Sequence, residues 1–303
     1  LVWGAMELAD ERLLSWSYDD TLRLWSAEGE SLVVLSGHTD SVWGALELAD
    51  GRLLSWSRDN TLRLWSAEGK PLAVLKGHTG GVSGALELAN GRLLSWSYDD
   101  TLWLWSAKGE PLVVLSEDGG IVYGALELTD GRLLSWSNDS TLRLWSAEGE
   151  ALAVLAGHTN AVWGALELAD GRLLSWSYDD TLRLWSADGD PLAVLSGHTS
   201  WINGALELTD ERLLSWSDDS TLRLWSAEGE PLAVLAGHIY GVGGALELAD
   251  GRLLSWSGEE TLRLWDIPRG DLVAYGCERV PRDFTDAERT RYGIPAGPTC
   301  PPP

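Results

Sequence analysis

An all-β chain of seven four-stranded antiparallel units is what this sequence predicts, and three observations carry the prediction. The chain copies itself every 40 residues: "GAMEL" at 4 returns as "GALEL" at 44, 84, 124, 164, 204 and 244. Within residues 42–76, "VWGALEL", "RLLSWS", "TLRLWS" and "PLAVLK" are runs rich in Val, Leu, Trp and Thr, too short to be good helices. They are parted by "ADG", "RDN" and "AEGK", and Asp50-Gly51 is a hairpin signal because glycine accepts the positive φ that such a turn requires.

Each copy is therefore a four-stranded meander, and a lone meander that is apolar on both faces must stack to stay soluble. A period of this size signals a solenoid, a propeller or an array. In the first strand the small Gly-Ala pair suits a crowded position near an axis. The Trp residues of the second and third strands suit the widening space between neighbouring sheets. Radial closure of seven sheets leaves only short, protected edges. The predicted fold is an all-β, seven-bladed β-propeller of four-stranded antiparallel blades over residues 1–276, with a short irregular or helical C-terminal tail at 277–303. The last blade is expected to end in a fourth strand, "DLVAYG" at 271–276, so that the ring would close by packing of whole blades without exchanging a strand. In the tail, Thr285 followed by Glu288 reads as a capping box and Gly293 as a helix stop. The tail is expected to brace the seam of the ring.

Composition narrows the function. A hydrophobic content of 45% is that of an ordinary folded protein, and nineteen Trp against one Phe and one Met follow from copying a unit that carries two Trp. A net charge of −24 argues against nucleic acid and anionic membrane as partners, because both need clustered Lys and Arg. The acidity is read as solvated turn residues in "LADG" and "SAEGE". No long apolar run is present. Only Cys277 and Cys300 occur, both in the tail and expected as solitary thiols, so the repeats use no disulfides and a cytoplasmic setting is expected. The chain opens mid-unit on Leu1, which leads us to expect a piece of a larger protein with an upstream effector domain.

A "GHT" step followed by an "S-W-S-x-D-x-T-L-R-L-W" run resembles the WD-repeat propeller family over residues 1–276. The signature dipeptide occurs once, at Trp265-Asp266, with Trp-Ser in the other six copies. Near-identity of the copies resembles recently amplified bacterial propellers. The tail resembles those that close bacterial multidomain propeller proteins, whose upstream parts are often STAND-type signalling ATPases.

A Ser-His-Asp set recurs and invites a hydrolase reading. A catalytic site has no reason to appear once per blade, however, and the resemblance implies a hydrogen-bond network tying the entry loop to the second and third strands. Its members would be His38, Ser55, Asp59 and Trp65; His78, Ser95, Asp99 and Trp105; His158, Ser175, Asp179 and Trp185; and His198, Ser215, Asp219 and Trp225. Asp118 stands where a His is expected, and Glu259 where an Asp is, so those two networks are expected to be weaker. With one His per 40 residues and no Cys in the repeats, no metal site is expected; no catalytic residue and no cofactor are expected either.

The seven copies differ in two places. One is the start of the first strand, which carries Trp3, Trp43, Tyr123, Trp163, Trp201, Asn203 and Tyr240. The other follows "SWS" and reads Tyr18, Arg58, Tyr98, Asn138, Tyr178, Asp218 and Gly258 in turn, with further drift two residues on. A loop entering the first strand and a turn joining the second to the third emerge at the same end of a meander. By resemblance this is the wide, ligand-contacting face. Trp3, Tyr18, Trp43, Arg58, Tyr98, Tyr123, Trp163, Tyr178, Trp201, Asn203, Asp218 and Tyr240 are the candidate binding residues, of the types that most often carry interface energy. The expected function is non-enzymatic recognition of a protein or peptide; the alternative is a lectin-like propeller binding glycan or another small ligand.

Overall fold

The computed structural model describes residues 1–116 and 119–267, together with Thr285 and Arg289. Blade 2 sets the pattern. Its strands Val42–Glu47, Leu53–Ser57, Thr61–Trp65 and Pro71–Lys76 pair antiparallel in chain order. The same four-strand order recurs in blade 1 (residues 2–36), blade 3 (82–116), blade 4 (122–156), blade 5 (162–196) and blade 6 (202–236). Blade 7 has three strands among the described residues, Val242–Glu247, Leu253–Ser257 and Leu262–Trp265. The fourth strand expected at 271–276 lies outside the described residues, as do Asp118, Cys277, Glu288, Gly293 and Cys300. In the tail the Arg289 N–H donates to the Thr285 carbonyl at 2.8 Å, the bond an N-cap residue accepts in the first turn of a helix.

The chain divides into two compact units, Leu1–Val154 and Leu155–Pro303. The first holds blades 1 to 3 and most of blade 4, and the second holds blades 5 to 7. In each unit the core lies between blades, never within one. Leu54, Leu62, Leu64 and Leu75 of blade 2 meet Val82, Ala85, Leu93 and Trp105 of blade 3. The equivalent set joins blades 5 and 6. A buried leucine contributes on the order of 2 kcal/mol, so a blade without its neighbour forfeits most of its stabilisation.

The glycine of the first strand has a different cause from crowding near an axis. Gly44 pairs with Trp56 across the sheet, and a Cβ on Gly44 would run into the Trp56 indole, as it would at Gly84 against Trp96. The ring of the second strand thus lies flat over the first strand of its own blade. Polar ties then fasten neighbouring blades within each unit. Glu47, Glu87, Glu127, Glu207 and Glu247 each accept a backbone N–H from the loop that follows the preceding blade's first strand, at 2.7–2.8 Å from Ala9, Ala49, Ala89, Ala169 and Thr209. Arg52, Arg92 and Arg172 donate forward to the carbonyls of Ala107, Ala147 and Ala227. The acidity is therefore not all solvated turn residue: Asp50 and Asp170 pair with these same arginines at 2.7–2.8 Å.

The hairpin between the first two strands needs a left-handed residue, which Gly51 supplies at φ 81°. Glu11 and Glu211 occupy the same place at φ 68° and 69°, a conformation that side chains with a Cβ adopt at a cost of about 1 kcal/mol or more. Replacing Glu211 by Gly is expected to raise the unfolding free energy by roughly 0.5–1 kcal/mol, read as a higher urea midpoint, whereas Gly51→Glu should lower it by a similar amount.

Candidate functional site: aromatic rings on bulges and turns

A β-bulge opens every blade. In blade 5 Val162 pairs with Ser177 and Gly164 with Trp176, which leaves Trp163 as the extra residue between them. A bulge frees its residue from the ladder and re-aims the side chain. The residues so placed are Trp3, Trp43, Ser83, Tyr123, Trp163, Asn203 and Gly243, at a position that the sequence marked as drifting without showing why. Opposite them stands the turn between the second and third strands. Its first residue is fixed by its backbone: the N–H of Tyr18, Arg58, Tyr98, Asn138, Tyr178 and Asp218 donates to the carbonyl of Leu1, Ser41, Gly81, Ile121, Ala161 and Trp201 respectively, at 2.9–3.1 Å. The residue two places on has φ between 61° and 72° in every blade, so Asp20, Asn60, Asp100, Ser140, Asp180, Ser220 and Glu260 vary mostly among types that tolerate the left-handed region.

The two positions meet. Trp3 stacks on Tyr18 with centroids 4.7 Å apart. Trp43 crosses from blade 2 to meet Tyr98 of blade 3 edge-on at 5.6 Å, and it passes over Gly81, where a Cβ would lie 2.8 Å from the indole. In the second unit three rings form a ladder: Trp163 on Tyr178 at 5.1 Å, and Tyr178 on Trp201 at 4.4 Å, with interplanar angles of 20° and 26°. Trp163 and Trp201 remain 43% and 49% exposed. Asn203 donates to Asp218 at 2.6 Å and to the Val242 carbonyl of blade 7 at 3.0 Å. Arg58 lies 3.8 Å from Asp40. Tyr123 is half-buried, and Tyr240 is exposed while its carbonyl accepts from Ser257.

Beneath this face runs a buried polar chain. Trp65 Nε1 donates to Ser55 Oγ at 2.9 Å, Ser55 Oγ lies 2.8 Å from His38 Nε2, and His38 Nδ1 lies 2.9 Å from Asp59. His78, Ser95, Asp99 and Trp105 repeat it, as do His158, Ser175, Asp179 and Trp185, and His198, Ser215, Asp219 and Trp225. The sequence reading missed Thr61, Thr101, Thr181 and Thr221, whose hydroxyls donate to the same carboxylates at 2.6–2.7 Å, although the recurring "TL" two residues after the Asp is a usable signal. Ser55 and its counterparts are fully buried with Oγ engaged on both sides, so this Ser-His-Asp set cannot present a nucleophile to substrate.

Burial by itself would raise the Asp59 carboxyl, but hydrogen bonds from His38, Thr61 and the Thr39 N–H outweigh it and hold the group well below the usual carboxylate range. His198 moves the other way: burial pushes it below its ordinary value despite Asp219, which leaves Nδ1–H to donate to Asp219 and Nε2 to accept from Ser215. In the two blades whose networks were expected to be weaker, the carboxylate still has partners. In blade 4 Arg143 folds back onto Asp139, Nη2 to Oδ2 at 2.8 Å, and Nη1 donates to Thr141. In blade 7 the longer Glu259 still reaches His238 at 2.7 Å and accepts from the Ile239 N–H and the Thr261 hydroxyl, which holds it down to about 2.

Among the described residues no group of three or more His, Cys, Asp or Glu could hold a metal ion, and no helix is long and apolar enough to cross a membrane.

Successive antiparallel sheets, carrying in blades 2 to 7 a Trp–Ser–His–Asp tether or a substitute for it, define a repeat propeller. A family model, the WD domain or G-beta repeat, matches residues 29–66, 69–106, 149–186 and 189–226, half of the chain, and the chain belongs to the WD40 repeat family. Two solved structures are similar in fold. The WD40 beta propeller domain of Doa1 is 23% identical with a TM-score of 0.60, over 88% of this chain and 93% of that one. The computationally designed Ika8 protein is 24% identical with a TM-score of 0.74, over 88% and 83%. The fold class is the seven-bladed β-propeller read from the repeat.

Both sets of titrating groups favour the folded state only when deprotonated. The His198 contribution is complete above about pH 6.5 and declines as pH falls below it; that of Asp59, Asp99, Asp179 and Asp219 is complete above about pH 4 and declines toward their lowered folded values. Urea midpoints are therefore expected to drop between pH 7.5 and 5.5, and again between pH 4.5 and 2.5. A midpoint that stays level over the first interval would contradict the buried neutral imidazole.

Proposed function

We propose that this chain is a non-enzymatic recognition module that binds a protein or peptide through the aromatic rings set on its bulges and turns. The observation that carries the reading is the ladder of Trp163, Tyr178 and Trp201, rings held against one another while the two tryptophans remain exposed. Exposed aromatic surface on a folded domain marks interaction sites, and WD40 propellers are protein-interaction scaffolds. Charge favours a basic segment: burial first, then the neighbouring carboxylates of Asp179 and Asp219, push the Asp180 carboxyl up, which marks a local excess of negative charge next to the ladder. Glycan binding fits less well, because a sugar packs on an open ring face and the inner faces here are filled by one another at 4.4 and 5.1 Å.

The setting we infer is the sensor end of a larger bacterial signalling or defence protein, with residues 1–276 as the recognition module, 277–303 as its tail and an effector domain upstream in the same polypeptide. Its support is in the sequence: near-identical copies that diverge mainly where side chains reach this surface. Basic peptides selected on the intact chain are expected to lose about 30-fold in affinity with Trp201→Ala or Trp163→Ala, as hot-spot residues do, while near-ultraviolet circular dichroism stays native apart from the missing indole. A glycan array that lights up with equal strength for the intact chain and both variants, with no peptide selected, would overturn the reading.

A further inference from the structure

Blade 2 departs from the other copies in charge. Residues 41–80 hold five Lys and Arg against four Asp and Glu, whereas every other 40-residue copy is acidic on balance. Part of the difference lies in Lys70 and Lys76, which stand where blade 1 has Glu30 and Ser36 and blade 5 has Asp190 and Ser196. The two lysines bracket the fourth strand, Pro71–Lys76, which forms the edge of its sheet. Along that strand exposure alternates. Leu72 and Val74 are 54% and 39% exposed, and Lys76 is exposed with them, while Leu75 is buried in the seam. Behind Val74 lies its cross-strand partner Arg63, whose guanidinium sits 6.0 Å from the Trp65 ring centroid and whose Nε is buried with no hydrogen-bond partner. Among the described residues no ion pair reaches Arg63, Lys70 or Lys76, although the same blade pairs Arg52 with Asp50 and Arg58 with Asp40. The carboxylate of the turn before the strand, Glu68, is engaged by the Ser66 hydroxyl at 2.8 Å. A guard against unwanted edge pairing does not explain these lysines. The same exposed leucine and valine recur as Leu32 and Val34, Leu152 and Val154, and Leu192 and Val194, on strands that carry no lysine.

We propose that the outer edge of blade 2 is a docking site for an extended acidic segment, which pairs with Pro71–Lys76 as a fifth strand, lays aliphatic side chains beside Leu72 and Val74, and sets carboxylates on Lys70 and Lys76. Backbone hydrogen bonds to the open edge supply affinity, and the alternate side chains supply selectivity. Arg63 adds a third cation behind Val74. Charge also selects the blade, because Asp190 and Glu230 take the place of Lys70 in blades 5 and 6 and repel the same segment. A second copy of the chain suits this edge poorly: antiparallel pairing of the strand with itself sets Lys70 opposite Lys76, and like charges so placed are destabilising. The site uses none of the ladder residues and does not depend on the function proposed for them.

The capped peptide Glu-Thr-Val-Thr-Leu-Thr-Glu matches the edge in length and alternation, and Lys-Thr-Val-Thr-Leu-Thr-Lys is its charge-reversed counterpart. Titrated into the intact chain at millimolar concentration, the acidic peptide is expected to move the backbone N–H resonances of Leu72–Leu75 and to bind about tenfold more tightly than the basic one. Added salt should weaken it, since the lysines are exposed to screening. Changing Lys70→Glu together with Lys76→Ser, the residues of blade 1, should cost about fivefold in affinity, whereas Lys108→Glu in blade 3 and Trp201→Ala should cost nothing. Equal binding of the two peptides, Leu72–Leu75 resonances that stay still, or a dimer in sedimentation that the double change dissolves would each overturn the proposal.

Discussion

A blade in this protein has no inside. Its four strands are apolar on both surfaces, and the leucines of one sheet find partners only on the next, as Leu62 and Leu64 do against Val82, Leu93 and Trp105. The seam between blades is therefore the unit of stability, and the rest of the design answers to it. Trp56 must lie flat to let the neighbouring sheet approach, so the strand beneath it carries Gly44. Sheets that pack by apolar contact alone can slide. The Glu47 and Arg52 ties at either side of the hairpin restrict that motion, because each joins a side chain of one blade to the backbone of another.

The buried Trp–Ser–His–Asp chain answers a second demand of the same architecture. The segment entering each first strand crosses the edge of its own blade without strand pairing, and its backbone needs fixed partners. The carboxylate supplies them, accepting from Thr39 N–H on the entering loop and from Thr61 on the third strand. A carboxylate that accepts so many bonds stays ionised and needs a donor on its second oxygen. Blade 4 shows that this donor need not be a histidine, since Arg143 supplies it for Asp139; in blade 7 Glu259 keeps His238 across one extra methylene.

The period, the strand boundaries and the members of the polar chain were legible in the letters, because each depends on residue type at fixed spacing. The causes acting between strands were not. A bulge at Trp163 exists because two residues oppose Ser177, a fact of pairing that no single strand records. The small first strand was legible as crowded, but the Trp56 indole that crowds it comes from the same blade. The return of Arg143 onto Asp139 was hidden too, since "TLRLW" reads alike in blades 2 and 4 while the side chain turns to a different partner. Which aromatic residues would touch depended on neighbours 23 or 55 residues away, as with Tyr178 and Trp201 or Trp43 and Tyr98.

Those distant neighbours show how the surface can diverge without disturbing the scaffold. The residue after "SWS" is held by its backbone, so its side chain is free to change, but it packs beside the residue that opens the next blade. Where that residue is glycine the space is taken: a Cβ on Gly81 would sit 3.4 Å from the Arg58 Cα, and one on Gly241 would press on Asp218 at 2.5 Å. Where it is tryptophan, the turn presents a tyrosine that stacks on it. The two positions share limited room across the seam at Arg58 and Gly81, at Tyr178 and Trp201, and at Asp218 and Gly241. The aromatic ladder of blades 5 and 6 is one such pair extended by the bulged Trp163, and its exposure is compatible with a core that the change never reaches.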